Sequence, residues 1–128
     1  MRIRRFVLCS PARRTRETWT YVKSALDGKT TEDLRPELYL AEPNTLLGAV
    51  RAIEDGHRNV LVIGHNPGIL ALALGLASDD IRAANPFGEF PAAALAVFDF
   101  DVASWSGMLP GAGTLVGFTR PDALEPAP

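Results

Sequence analysis

Val60-Leu61-Val62-Ile63-Gly64-His65-Asn66-Pro67-Gly68 sets an unbroken apolar run against a turn that carries an imidazole. Four apolar residues in succession, with no polar alternation, read as a strand covered on both faces, the pattern of a parallel sheet. Asn66 and Pro67 match a helix start, a capping side chain followed by proline, and residues 69–76 continue as a nearly all-apolar, buried helix. A second stretch has the same build: Phe6-Val7-Leu8-Cys9 runs into Ser10-Pro11-Ala12-Arg13-Arg14. In parallel α/β sheets the carboxyl ends of such strands open onto the ligand crevice.

The rest of the pattern extends this frame. A helix is expected from the Ser10 cap to about residue 26, with Trp19, Val22 and Leu26 on one face and Asp27-Gly28-Lys29 as its stop. Residues 37–40 read as a second, weaker strand. Asn44 can cap a helix whose buried stripe is Leu46, Leu47, Val50 and Ile53, ended by Asp55-Gly56. Residues 78–89 hold turn formers and charges and read as a loop. Strands follow at 92–100 and 114–118, joined through Ser104-Trp105 and a Pro/Gly-rich turn, and residues 120–128 form a loose tail. The order predicts one three-layer α/β/α domain over residues 1–128 with a mainly parallel sheet.

Composition narrows the class. The chain has 128 residues, of which 47% are hydrophobic and 22% charged, with a net charge of -2, which gives no reason to expect nucleic acid or an anionic membrane as partner. The charges are unevenly spread: six of the 13 basic residues (Arg2, Arg4, Arg5, Arg13, Arg14, Arg16) precede the first acidic one, Glu17. Cys9 is the single cysteine, so no intrachain disulfide forms and a reducing, cytoplasmic setting is expected. The apolar stretch behind the basic start is too short for a signal peptide, and no run approaches a membrane span.

Two residue groups stand out chemically. Arg13, Arg14 and Arg16 fall in the first turns of their helix, where the dipole disfavours each cation by about 0.3–1 kcal/mol. Their placement makes sense if an anion sits among them, and helix N-termini bind anions readily. His65 can serve as a simple turn and cap residue, but its position after a buried strand and beside a helix start favours function. His57 lies before the same strand, roughly 16 Å or more from His65 along it, and reads as structural. Cys9 invites a cysteine-phosphatase reading, yet that loop needs an arginine six positions on, and Thr15 stands there. Cys9 reads as a buried strand residue. Glu42 reads as a cap before the next helix sooner than as a general acid. Trp19, Trp105, Phe98 and Phe100 read as core. No zinc spacing, Gly-rich phosphate loop or paired-carboxylate motif is present, so no metal or cofactor is expected.

The segments at 6–18 and 60–68 resemble the Ser-x-x-x-Arg-x-x-x-Thr and second-histidine segments of the histidine phosphatase superfamily, small phosphohistidine-phosphatase branch. The stretch Phe90-Pro91 through Val97-Phe98, then Trp105 and Leu115-Val116-Gly117-Phe118, is similar to that branch's closing strands. The resemblance implies a phosphoglycerate-mutase-like fold. It makes Arg14 the phosphate-clamping arginine and His65 the second active-site histidine, with Ser10 and Asn66 as further phosphate-binding residues and Thr18 supporting Arg14. Arginine and imidazolium would supply the positive charge a metal otherwise brings. The departures are Pro91-Ala92, where the branch has Pro-Thr, and the family's first strand, ending in Arg-His-Gly and carrying the nucleophilic histidine. That strand has no counterpart in this sequence, which is expected to be N-terminally incomplete and by itself inactive. The substrate implied is a phosphorylated protein or a small phosphate ester, hydrolysed through a phosphohistidine. The alternatives are a non-catalytic phosphate or phosphoprotein binder on the same scaffold and, last, an unrelated receiver-type regulatory domain. Oligomeric state stays open.

Overall fold

The computed structural model describes residues 4–26, 29–92 and 94–120. The Asp27-Gly28 helix stop and, apart from Arg120, the expected tail lie outside the described residues. Strands β1 (Arg4–Cys9), β2 (Lys29–Leu34) and β3 (Asn59–Ile63) form a parallel sheet in the order β2-β1-β3. Alternate residues of β1 and β3 face opposite helical layers. On one side α1 (Arg13–Ser24) brings Trp19 and Val22 onto Val7, Cys9, Leu61 and Ile63. On the other, α2 (Pro43–Arg51) and α3 (Gly68–Leu76) contribute Leu46, Val50 and Leu72, which close with Ile53 over Leu8, Phe6, Val60 and Val62. Helices on both faces are the reason residues 6–9 of β1 and 60–63 of β3 are apolar without alternation.

The second strand departs from the expectation. Residues 36–38 form a short 3-10 turn, in which the Tyr39 amide bonds the Pro36 carbonyl at 3.1 Å, and the strand runs over Lys29–Leu34 instead. Pro36 has no amide hydrogen for a ladder. As the sheet's edge, β2 also carries exposed Thr31 and Glu32, which leave no apolar signal to read.

Helix starts are shifted as well. α1 begins at Arg13, not at the Ser10 cap, with Ala12 in the capping position and the Ser10 hydroxyl bonded to His65. The first turn is closed instead by Thr15, whose hydroxyl donates to the carbonyls of Ser10 at 2.7 Å and Ala12 at 2.9 Å. α2 begins at Pro43, with Glu42 rather than Asn44 in the capping position and no side-chain cap bond. α3 begins at Gly68 and buries only Gly68, Leu72 and Ala73, so it is less covered than its composition suggests.

The stretch read as a loop contains α4 (Asp79–Ala84). Asp79 and Asp80 in its first turn complement the helix dipole, and Asn85 ends it in the left-handed conformation. Arg82 reaches back to the carbonyls of Leu74 and Ala77 at 3.0 and 3.1 Å. The amides of Gly111 and Gly113 take those of Gly75 and Leu76, each at 2.8 Å. Together they satisfy carbonyls that the C-terminus of α3 would otherwise leave unpaired.

Gly111 and Gly113 lead into an antiparallel ribbon of β4 (Leu95–Asp99) and β5 (Thr114–Thr119), separate from the three-stranded sheet. β4 is shorter at both ends than the expected 92–100. Phe98 and Phe118 pack around the wholly buried Phe87 together with Phe90, with ring centroids 5.2–6.1 Å from Phe87. Among the described residues the sheet stops at β3, whose outer edge pairs with no strand. No helix of the described residues is long and apolar enough to cross a membrane.

Leu8 is 1% exposed at the centre of the larger core cluster. Leu8→Ala is expected to destabilise the protein by about 2–5 kcal/mol in urea unfolding, and Val116→Ala, on the exposed ribbon, by less than about 0.5 kcal/mol.

Candidate functional site

Cys9 and Ile63 end their strands side by side, and the Ser10 amide donates to the Ile63 carbonyl at 3.1 Å. The turns that follow therefore leave the same edge of the sheet together. Ser10 is wholly buried, and its Oγ lies 2.7 Å from His65 Nε2, while the Ala12 amide points at the same oxygen from 3.4 Å. Either ring tautomer satisfies the pair: Ser10 donates to a bare Nε2 or accepts from a protonated one. His65 Nδ1 has no hydrogen-bond partner among the described residues and is the ring nitrogen left for a ligand.

Arg14 stands four residues beyond Ser10, exposed in the first turn of α1, and its guanidinium makes no ion pair among the described residues. Arg13 instead pairs with Glu17 at 2.9 Å on the exposed face, which neutralises it. Arg16 is exposed one position beyond the buried Thr15. Thr18 bonds the Arg14 carbonyl at 3.0 Å, supporting the helix backbone and not the guanidinium.

The Asn66 side chain is held by the backbone ahead of β4. Its Nδ2 donates to the carbonyls of Glu89 and Phe90 at 3.1 and 2.8 Å, tying the β3–α3 turn to the segment before β4. Both amide hydrogens are thereby committed, leaving no side-chain donor for an anion. The His65 carbonyl accepts the Ile69 amide at 2.9 Å, a local bond at the start of α3.

Sequence reading missed Tyr39. Its ring meets the His65 imidazole edge-to-face, with centroids 5.4 Å apart and planes at 72°. The strand expected over residues 37–40 hid it, although Pro36 just before marks a break at which a turn could form. Gly68 brings the two segments together, because a Cβ there would overlap the Ala41 carbonyl oxygen.

The remaining candidates stand apart. His57 packs edge-on against Phe6 at 5.0 Å, and its carbonyl accepts the Trp105 indole N–H at 2.6 Å, in the structural role expected. Glu42 is exposed and its side chain caps nothing. Cys9 is fully buried, its Sγ–H facing the Ser10 carbonyl at 3.3 Å, and burial raises the thiol pKa above its ordinary value. A neutral buried thiol is a poor nucleophile.

A parallel sheet with helices on both faces and two loops meeting at its carboxyl rim define a phosphoglycerate-mutase-like fold of the SixA phosphohistidine phosphatase type. A candidate phosphohistidine phosphatase SixA from Nakamurella multipartitia superposes with a TM-score of 0.73 at 25% identity, over 91% of this chain and 70% of that one. One from Agrobacterium tumefaciens gives 0.72 at 27% identity, over 91% and 67%. A protein histidine phosphatase SixA complexed with tungstate gives 0.68 at 25%, over 98% and 73%. In sequence, the uncharacterized protein Rv1276c of Mycobacterium tuberculosis is 34% identical over 119 residues, 90% of this chain and 72% of that protein. The uncharacterized protein ML1117 of Mycobacterium leprae is 32% identical over 118 residues, 90% and 70%. The chain belongs to the family of these mycobacterial proteins. No family model matches it.

The burial of Cys9 sets a clear expectation for thiol chemistry. At pH 7 the folded protein should react with iodoacetamide at least tenfold more slowly than the urea-unfolded chain, and mass spectrometry of the alkylated product measures the ratio.

Proposed function

We propose that the Ser10 and His65 turns, with Arg14, form the phosphoryl-binding site of a phosphohistidine phosphatase-like protein that acts on a phosphorylated protein or a small phosphate ester. The observation that carries the reading is the Ser10–His65 hydrogen bond, which joins the two loops at the carboxyl rim of the sheet. The unpaired Arg14 at the start of α1 supports it, as a cation held against the helix dipole with no carboxylate to neutralise it. The similarity to SixA structures supports a phosphatase-like function, and the tungstate bound by one of them is a tetrahedral oxyanion like phosphate.

In this reading Arg14 takes two phosphoryl oxygens in the fork geometry of guanidinium, and His65, protonated, stabilises the charge that develops on the third. Hydrolysis through a phosphohistidine requires a second imidazole as nucleophile. The sequence has two histidines, and the His57 ring packs against Phe6 just before β3, at the end of that strand away from His65. Residues 1–128 therefore bind a phosphoryl group and turn it over slowly or not at all. With His65 alone among the described imidazoles at this rim, the second reading is a phosphate-binding module on the same scaffold. The single buried thiol suits a reducing, cytoplasmic setting.

Calorimetric titration of the protein with inorganic phosphate is expected to show saturable binding. Arg14→Ala and His65→Ala should each weaken it by about ten- to a hundredfold, as loss of a charge-assisted hydrogen bond does. Wild-type affinity in both variants would refute the site. Rapid hydrolysis of p-nitrophenyl phosphate by residues 1–128 would refute the assignment of a binding role.

A further inference from the structure

Tyr39 has no place in the phosphoryl-binding set, yet the fold holds it beside His65 with some care. Leu38, its neighbour, is 1% exposed and anchored in the core, and Tyr39 itself is 56% exposed. Leu40 adopts a left-handed backbone with φ of 49°, an uncommon conformation for leucine. Ala41 then presses on Gly68 with no room for a side chain between them. The segment 38–41 is therefore pinned at both ends and bent between them, and the bend carries the Tyr39 ring against the imidazole. Such strain at an exposed residue persists only where surrounding contacts impose it. The Tyr39 hydroxyl makes no hydrogen bond among the described residues, so the aromatic ring is what this arrangement holds in place.

We propose that Tyr39 is the specificity-determining residue of this site, an aromatic wall beside His65 that favours phosphoryl groups carried on a flat aromatic ring over those carried on an alkyl chain. The inference rests on the phosphoryl-binding reading of His65 and extends it to the group that bears the phosphate. One edge-to-face contact is used on the imidazole, and the exposed remainder of the tyrosine ring is available to a second ring arriving with the phosphoryl group. An alkyl carrier would gain little there beyond simple contact.

The test compares three ligands by calorimetry: inorganic phosphate, methyl phosphate and phenyl phosphate. Wild-type protein should bind phenyl phosphate about three- to tenfold more tightly than methyl phosphate, the range expected of one aromatic pair. Tyr39→Phe should keep that ratio. Tyr39→Leu should bring it to about one while leaving inorganic phosphate within about twofold of wild type. Circular dichroism of both variants checks that this exposed position leaves the fold intact. A wild-type ratio near one, or a ratio that survives Tyr39→Leu, would overturn the role of Tyr39 alone. Absence of inorganic phosphate binding in the wild type would instead overturn the reading of the site, and this proposal with it.

Discussion

The amide of Ser10 bonds the carbonyl of Ile63, one step beyond the last ladder pair of two parallel strands. That bond carries the registry of β1 and β3 past the end of the sheet, so the two loops leave with their first residues still in contact. The Ser10 hydroxyl then has His65 Nε2 at 2.7 Å as its nearer polar neighbour, with the Ala12 amide at 3.4 Å, and a wholly buried hydroxyl without a partner would be costly. Ring orientation at the rim follows from strand register, and strand register follows from the apolar runs that both helical layers bury.

Other polar bonds hold the periphery to this centre. Asn66 ties the His65 turn to Glu89 and Phe90, just before β4, and the Trp105 indole ties the segment after β4 to the His57 carbonyl, just before β3. The ribbon is thus fastened near both ends of β3 without pairing to it. The C-terminal carbonyls of α3 are closed by Arg82 and by the loop ahead of β5, so the helix that starts at the site also anchors the ribbon.

Charge at the rim is arranged unequally among the three arginines of α1. Arg13 is neutralised by Glu17 one helical turn on, at the exposed face, while Arg14 is left without a carboxylate. A cation at a helix N-terminus is disfavoured in isolation, and an oxyanion between it and the helix amides reverses the sign of that interaction. In the proposed site the imidazole, the guanidinium and the helix start are each modest alone and would act together only on a shared oxyanion.

The apolar runs at 6–9 and 60–63 were legible as buried parallel strands, since continuous hydrophobicity reflects burial on both faces and is local in the chain. The Arg14 and His65 turns were legible for the same reason: each directly follows its strand. Legibility failed where long-range partners decide the outcome. Ser10 has the composition of a helix cap, yet a residue 55 positions away claims its hydroxyl and the helix starts at Arg13. The contact of the Asn66 side chain with the Glu89 and Phe90 carbonyls, more than twenty residues on, has no local signal either. β2 is an edge strand with polar residues facing water, so it carries no periodic signal, and Tyr39 reaches His65 only through the Ala41–Gly68 contact. Local pattern sets which segments are strands and which residues stand at their ends, because burial and backbone preference act over a few residues. Which side chains meet across those ends is decided by packing, because hydrogen-bond partners far apart in the chain are assigned only once the layers close.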